Sequence, residues 1–89
     1  LTLRIYYELN AIDSAASLID TYRHLLLNNK LVPESVKNEN LNFINYFSHL
    51  FRIKNEFDPE NAVMLKKQIS ERKDIALKYW LIEKIDEMI

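Results

Sequence analysis

The sequence predicts an all-α fold of about five helices arranged in antiparallel hairpins. Three observations lead there. Apolar residues recur at steps of three and four through most of the chain, the spacing that lines one face of a helix. Two prolines stand where helices begin, at Pro33 and within Asp58-Pro59-Glu60. Glycine is absent, and most tight β-hairpin turns and bulges rely on its positive φ or on close backbone approach. Asparagine, which tolerates the left-handed conformation, is expected to close helices in its place.

The first helix is expected from Leu1 to about Leu9, ending at Asn10. Asp13 or Ser14 is placed to cap the second, its oxygen accepting from a free backbone N–H of the first turn. Ala15, Leu18, Ile19, Tyr22, Leu25 and Leu26 then form one stripe that runs to Asn28-Asn29, opposite Ser17, Asp20 and His24. The stretch "NNKLVPES" is the clearest break. Pro33 fits the first turn of a third helix, where its missing N–H does little harm. That helix extends to about Asn55, ~34 Å at 1.5 Å per residue. Its stripe is Val36, Phe43, Ile44, Phe47, Leu50 and Phe51, interrupted by Asn40.

Asp58-Pro59-Glu60 starts a fourth helix with a capping oxygen, a preset φ and an acid favoured by the helix dipole. Ala62, Leu65 and Ile69 form its narrower stripe. Around "SERKD" the periodicity loses phase and Asp74 offers a second cap. Helices over 59–71 and 74–88 are therefore expected, with one bent helix as the alternative. In the last helix, Ile75, Leu77, Tyr79, Leu81, Ile82, Ile85, Met88 and Ile89 span an apolar sector of roughly 200°, about twice what a surface helix needs. Either the domain packs it from two sides or part of it faces a partner. Leu1, Leu3, Ile5 and Tyr7 alternate as a strand would, but no hairpin turn or mate accompanies them.

At 89 residues the chain is one domain or part of one. It can bury roughly 60–65% of its unfolded surface in a modest core. The absence of cysteine excludes disulfides, thiolate zinc sites and cysteine nucleophiles. Without glycine, neither a P-loop nor a dinucleotide fingerprint can be written. Twelve basic and thirteen acidic residues interleave to a net charge of −1. The basic pairs Lys66-Lys67 and Arg72-Lys73 are isolated, the second flanked by Glu71 and Asp74. Nucleic-acid binders concentrate positive charge on one face, so no nucleic-acid partner is expected. No apolar run approaches the roughly 20 residues that span a bilayer, so no membrane insertion is expected. The start at "LTLRIYYELN" has neither an initiator Met nor a signal-peptide pattern, and suggests a chain cut from a longer one. The compartment stays open, with the cytoplasm favoured.

The stretch "YYELNAIDSAASLI" resembles a tetratricopeptide repeat, a helix–turn–helix unit of about 34 residues. Tyr6 takes the aromatic position late in the first helix, Asn10 falls in the turn, and Ala15 takes the small position early in the second. The resemblance covers residues 1–30. Leu3 and Tyr22 stand where the pattern wants small residues, Leu27 where it wants the closing proline, and residues 34–89 hold no second copy. A generic helical hairpin describes the same residues. The resemblance implies the end segment of an α-solenoid within a longer chain, with residues 33–89 as longer, irregular terminal helices. Such arrays bind proteins or peptides, though a fold does not fix a function.

Asp20 and His24 lie one helical turn apart and could share a metal, but a zinc site usually needs three or four protein ligands. They and the isolated His49 are expected to be solvated surface groups. Asp58 with Glu60 and Asp86 with Glu87 lie at helix ends, where capping and solubility explain them better than acid–base catalysis. Of the aromatics Tyr6, Tyr7, Tyr22, Tyr46, Tyr79 and Trp80, most belong in or beside a core. Tyr7 and Trp80 fall off the main stripes and are expected to be partly exposed, as possible partner contacts. The expected function is non-enzymatic, without cofactor or metal: a protein-interaction or scaffold segment. A helical bundle that self-associates through its last helix is the alternative, making a homo-oligomer possible.

Overall fold

The computed structural model describes residues 2–89, and among these the chain forms five α-helices and no strand. They are α1 (Thr2–Glu8), α2 (Ile12–Asn28), α3 (Glu34–Asn55), α4 (Pro59–Ser70) and α5 (Lys78–Met88). The expected helix start at Leu1 lies outside the described residues. The region from 59 to 88 is two helices, not one bent rod.

Each junction has an identifiable local cause. After α1, the amide of Ala11 donates to the carbonyl of Tyr6 and that of Asn10 to Tyr7, at 2.9 and 3.1 Å. This pair of bonds is a Schellman closure, and it needs one left-handed residue. Asn10 supplies it with φ 55°, in the role glycine usually fills. The end of α2 differs, because Asn29 is extended at φ −89°. Neither Asp13 nor Ser14 caps α2; its N-cap is Ala11, which makes no side-chain bond, and Asp13 instead sits in the first turn. The Schellman closure already fixes how the chain enters α2, so a capping side chain is dispensable. At α4 the expected signal holds: Asp58 Oδ1 accepts from the Glu60 amide at 3.1 Å, and Pro59 opens the helix.

α5 begins at Lys78 rather than after Asp74, because residues 71–77 are anchored as a loop. The Arg72 guanidinium grips the Asp74 carboxylate at 2.9 and 2.7 Å, and Asn42 Nδ2 donates to the Asp74 carbonyl at 2.9 Å. The Ala76 amide donates to the Glu39 carbonyl at 3.1 Å. Leu77 then turns left-handed at φ 53° before α5 starts. A left-handed residue with a Cβ costs roughly 1–2 kcal/mol, and contacts to α3 on both sides of Asp74 hold it there.

The central helix is α3, which packs against α2, α4 and α5, while α1 pairs with α2 and α4 with α5. Phe43, Ile44, Phe47, Leu50, Phe51 and Ile53 are its buried residues. Val36, expected in the stripe, is 43% exposed. Asn40 interrupts the stripe and finds partners there, accepting from Tyr22 Oη at 3.2 Å and donating to the Val36 carbonyl at 2.8 Å. Ala62, Leu65 and Ile69 of α4 are buried as expected. The wide apolar face of α5 meets both α3 and α4, with Leu81 and Ile85 fully buried and Ile75 just before the helix at 5% exposure. Leu77, Tyr79 and Ile89, at its margins, stay exposed.

Five aromatic rings join the elements. Tyr7 of α1 lies edge-on to Phe47, Phe51 and Trp80 at centroid distances of 6.1, 5.6 and 5.4 Å. Trp80 lies nearly parallel to Phe47, at 13° and 6.1 Å, and Phe43 flanks both. Phe47→Ala is expected to lower stability by about 3–5 kcal/mol in urea unfolding. Asn10→Ala should cost about 1–2 kcal/mol through its left-handed φ, whereas Asn10→Gly should cost almost nothing. Equal losses for the two would contradict the Schellman assignment.

Candidate functional site: an apolar groove beside a basic cavity

Between α2 and α3 lies an open apolar groove of about 300 Å³. Ile12, Ala15, Ala16 and Ile19 line it from α2, and Phe51 from α3. Steps of three and four place these α2 residues on one face, and the two alanines keep that face low. Arg52, Asn55 and Glu56 form its polar rim. Ala15 is buried at 2% exposure, while Ile12 remains 51% exposed. A second depression beside α1 is lined by Ile5, Leu9 and Trp80 together with Arg4 and Glu8; Ile5 and Leu9 are 56% and 71% exposed.

Ser48 and Arg52 also line a neighbouring cavity of different character, about 420 Å³ in volume. Arg23 of α2, Arg52 and His49 of α3, and Arg72 of the α4–α5 loop converge on it, with no carboxylate in its lining. Arg23 Nη2 donates to Asn45 Oδ1 at 3.2 Å, and Arg72 Nη1 donates to Tyr46 Oη at 3.2 Å. The bond to Asp74 is the main cause that raises the Arg72 pKa above the ordinary guanidinium range and lowers that of Asp74.

The expectation that Tyr7 is partly exposed is corrected: it is 4% exposed, like Leu3 four residues earlier. The pair Leu3–Tyr7 is the core-facing i,i+4 couple of α1. A seven-residue helix offers too little periodicity to single that face out. Lys54 donates to the Tyr7 carbonyl and sits 4.0 Å above its ring centroid, so charge covers the ring. Trp80 is partly buried, packed against the core, and lines the α1 depression. Asp20, His24 and His49 are exposed, and no group of three or more metal-ligating side chains forms among the described residues. Asp58 caps α4, and Asp86 pairs with Lys66 of α4 at 2.6 Å. Glu87 shares Lys84 with Glu8, at 3.2 and 2.7 Å, joining α5 to α1. Asp58, Asp86 and Glu87 thus have structural partners.

The sequence drew no attention to Arg23, Arg52 or Arg72 as a set. They are 29 and 20 residues apart, on two helices and a loop, so only tertiary structure brings them together. None of the described helices is long and apolar enough to cross a membrane.

Burial pushes the Tyr7 phenol up to about 12, a rise that Lys84 partly offsets. The unfolded chain releases that proton near pH 10. Between about pH 10 and about 12 the unfolded state binds fewer protons, so this group makes stability fall as pH rises. An ultraviolet titration should show one late tyrosine step that Tyr7→Phe removes; a Tyr7 step near pH 10 would contradict its burial. No protein-family description, curated protein or solved structure matches this chain.

Proposed function

We propose that this chain is a non-enzymatic protein-interaction or scaffold segment, of the kind found at the end of a helical-repeat array. The observation that carries the reading is the α2–α3 groove, where Ile12, Ala15, Ala16, Ile19 and Phe51 present an apolar channel with a polar rim. An amphipathic helix can lay its apolar face into such a groove, anchored at i, i+3, i+4 and i+7. The neighbouring hairpin of a longer array would dock by the same rule. The tetratricopeptide-like hairpin agrees with this: Tyr6 is half-buried beside the α1–α2 turn and Ala15 is buried in the second helix. The depression lined by Ile5, Leu9 and Trp80 offers a second contact. Tyr7, being buried, is not part of it.

Self-association through α5 has less support, since α3 and α4 occupy most of its apolar face. Ala16 is exposed within the groove, so Ala16→Glu fills the channel without removing core volume. Affinity capture followed by mass spectrometry should recover a protein that binds the wild-type chain and an exposed-face control, Glu83→Gln. It should be lost with Ala16→Glu while circular dichroism stays unchanged. Undiminished binding to Ala16→Glu would refute the groove. Sedimentation across concentrations should give a monomer, and a dimer abolished by changing Tyr79 and Ile89 would favour self-association instead.

A further inference from the structure

Arg23, Arg52 and Arg72 converge on one cavity in a protein whose overall charge is −1. Like charges gathered on one concave surface repel each other and raise the local positive potential. Arg72 is paired with Asp74, but Arg23 and Arg52 have no ion pair among the described residues. Three guanidiniums less one carboxylate leave an excess of two positive charges. The side chains are also partly held in place: Arg23 by Asn45, and Arg72 by both Asp74 and Tyr46. Of five N–H donors on each guanidinium, Arg23 commits one and Arg72 three. The remaining donors are available to a ligand. Asn42, Ser48 and Gln68 add neutral hydrogen-bonding groups to the lining.

We infer that this cavity binds a phosphate monoester dianion, through Arg23 and Arg52 with Arg72 as the prepositioned third donor. A phosphate monoester carries close to two negative charges and three strong acceptor oxygens, matching both the charge excess and the approach of guanidiniums from three elements. A carboxylate carries one charge and two oxygens, and would leave the field half neutralised. Arginine, with its planar fork, is suited to such bidentate recognition. The phosphate could belong to a phosphorylated side chain of a protein or to a free metabolite, and the same chemistry recognises either. The site shares Arg52 and Ser48 with the apolar groove, yet it does not require that the groove bind protein.

The test is an NMR titration of the whole chain with inorganic phosphate at constant ionic strength, following the arginine Nε–Hε signals. Those of Arg23, Arg52 and Arg72 should shift saturably, and acetate should bind at least about ten-fold more weakly. Arg23→Gln and Arg52→Gln should each weaken phosphate binding about ten-fold or more, the scale of one lost charge-assisted hydrogen bond. The exposed-site control Lys30→Gln should leave it unchanged. Absence of saturable shifts, equal affinity for acetate, or undiminished binding by the Arg23→Gln/Arg52→Gln double variant would overturn the assignment. Repeating the titration with N-acetyl-phosphoserine amide and with glycerol phosphate then separates the two sources. Tighter binding of the former assigns a phosphorylated protein side chain, and tighter binding of the latter a small metabolite.

Discussion

The fold depends on one packing constraint: the Trp80 indole must lie between the α1 and α3 rings. Phe47 receives it nearly face to face, while Tyr7 meets it edge-on. Through these two contacts α5, the last helix, closes over α1, the first. Aromatic pairs in offset or edge-on arrangements add about 0.5–1.5 kcal/mol beyond area burial. Here they do so where α1, α3 and α5 meet. α1 is only seven residues long and too short to hold its own conformation in water. It is helical because Leu3 and Tyr7 are fixed in the core, with the Asn10 closure turning the chain into α2.

Polar contacts determine where the ends of the aromatic assembly lie. Lys84 reaches Glu8 from α5, and Glu8 is the main reason its ammonium pKa is raised while that of Glu8 is lowered. The Glu8 carboxylate is largely open to solvent although Lys84 is mostly covered, so the pair orients α1 on α5 more than it stabilises the fold. Residues 71–77 work differently. Hydrogen bonds with three residues of α3, Asn42, Tyr46 and Glu39, hold that loop against the helix. They also sustain the left-handed Leu77 and deliver Arg72 to the basic cavity. The same loop thus holds a left-handed residue at Leu77 and presents the Arg72 guanidinium to the candidate site.

Long periodic elements were legible in the sequence. The bounds of α4 were expected within one residue, because Asp58-Pro59 writes the start in covalent terms and Ala62, Leu65 and Ile69 mark one face. The stripe of α3 was legible for the same reason, from Phe43 to Phe51. Short or tertiary-controlled features were not. The expectation that Tyr7 is partly exposed fails because two turns of sequence cannot define a face, and α5 starts later than expected because Asp74 bonds to Arg72 and Asn42 instead of capping. Nor could the arginine cavity be read from interleaved charges, since its members share no periodicity. The groove was half legible: Ala15 was recognised as a close-approach position, but its opening beside Phe51 follows from how α2 settles on α3.

The most direct measurement of the central claim is a double-mutant cycle on Tyr7 and Trp80. Stabilities of the wild-type chain, Tyr7→Leu, Trp80→Leu and the double variant would be compared by urea unfolding. Contact between the rings predicts a coupling of about 0.5–1.5 kcal/mol, favourable in sign. Losses that add to within about 0.3 kcal/mol would mean that α1 and α5 do not meet through these side chains, and the account of the fold would fail.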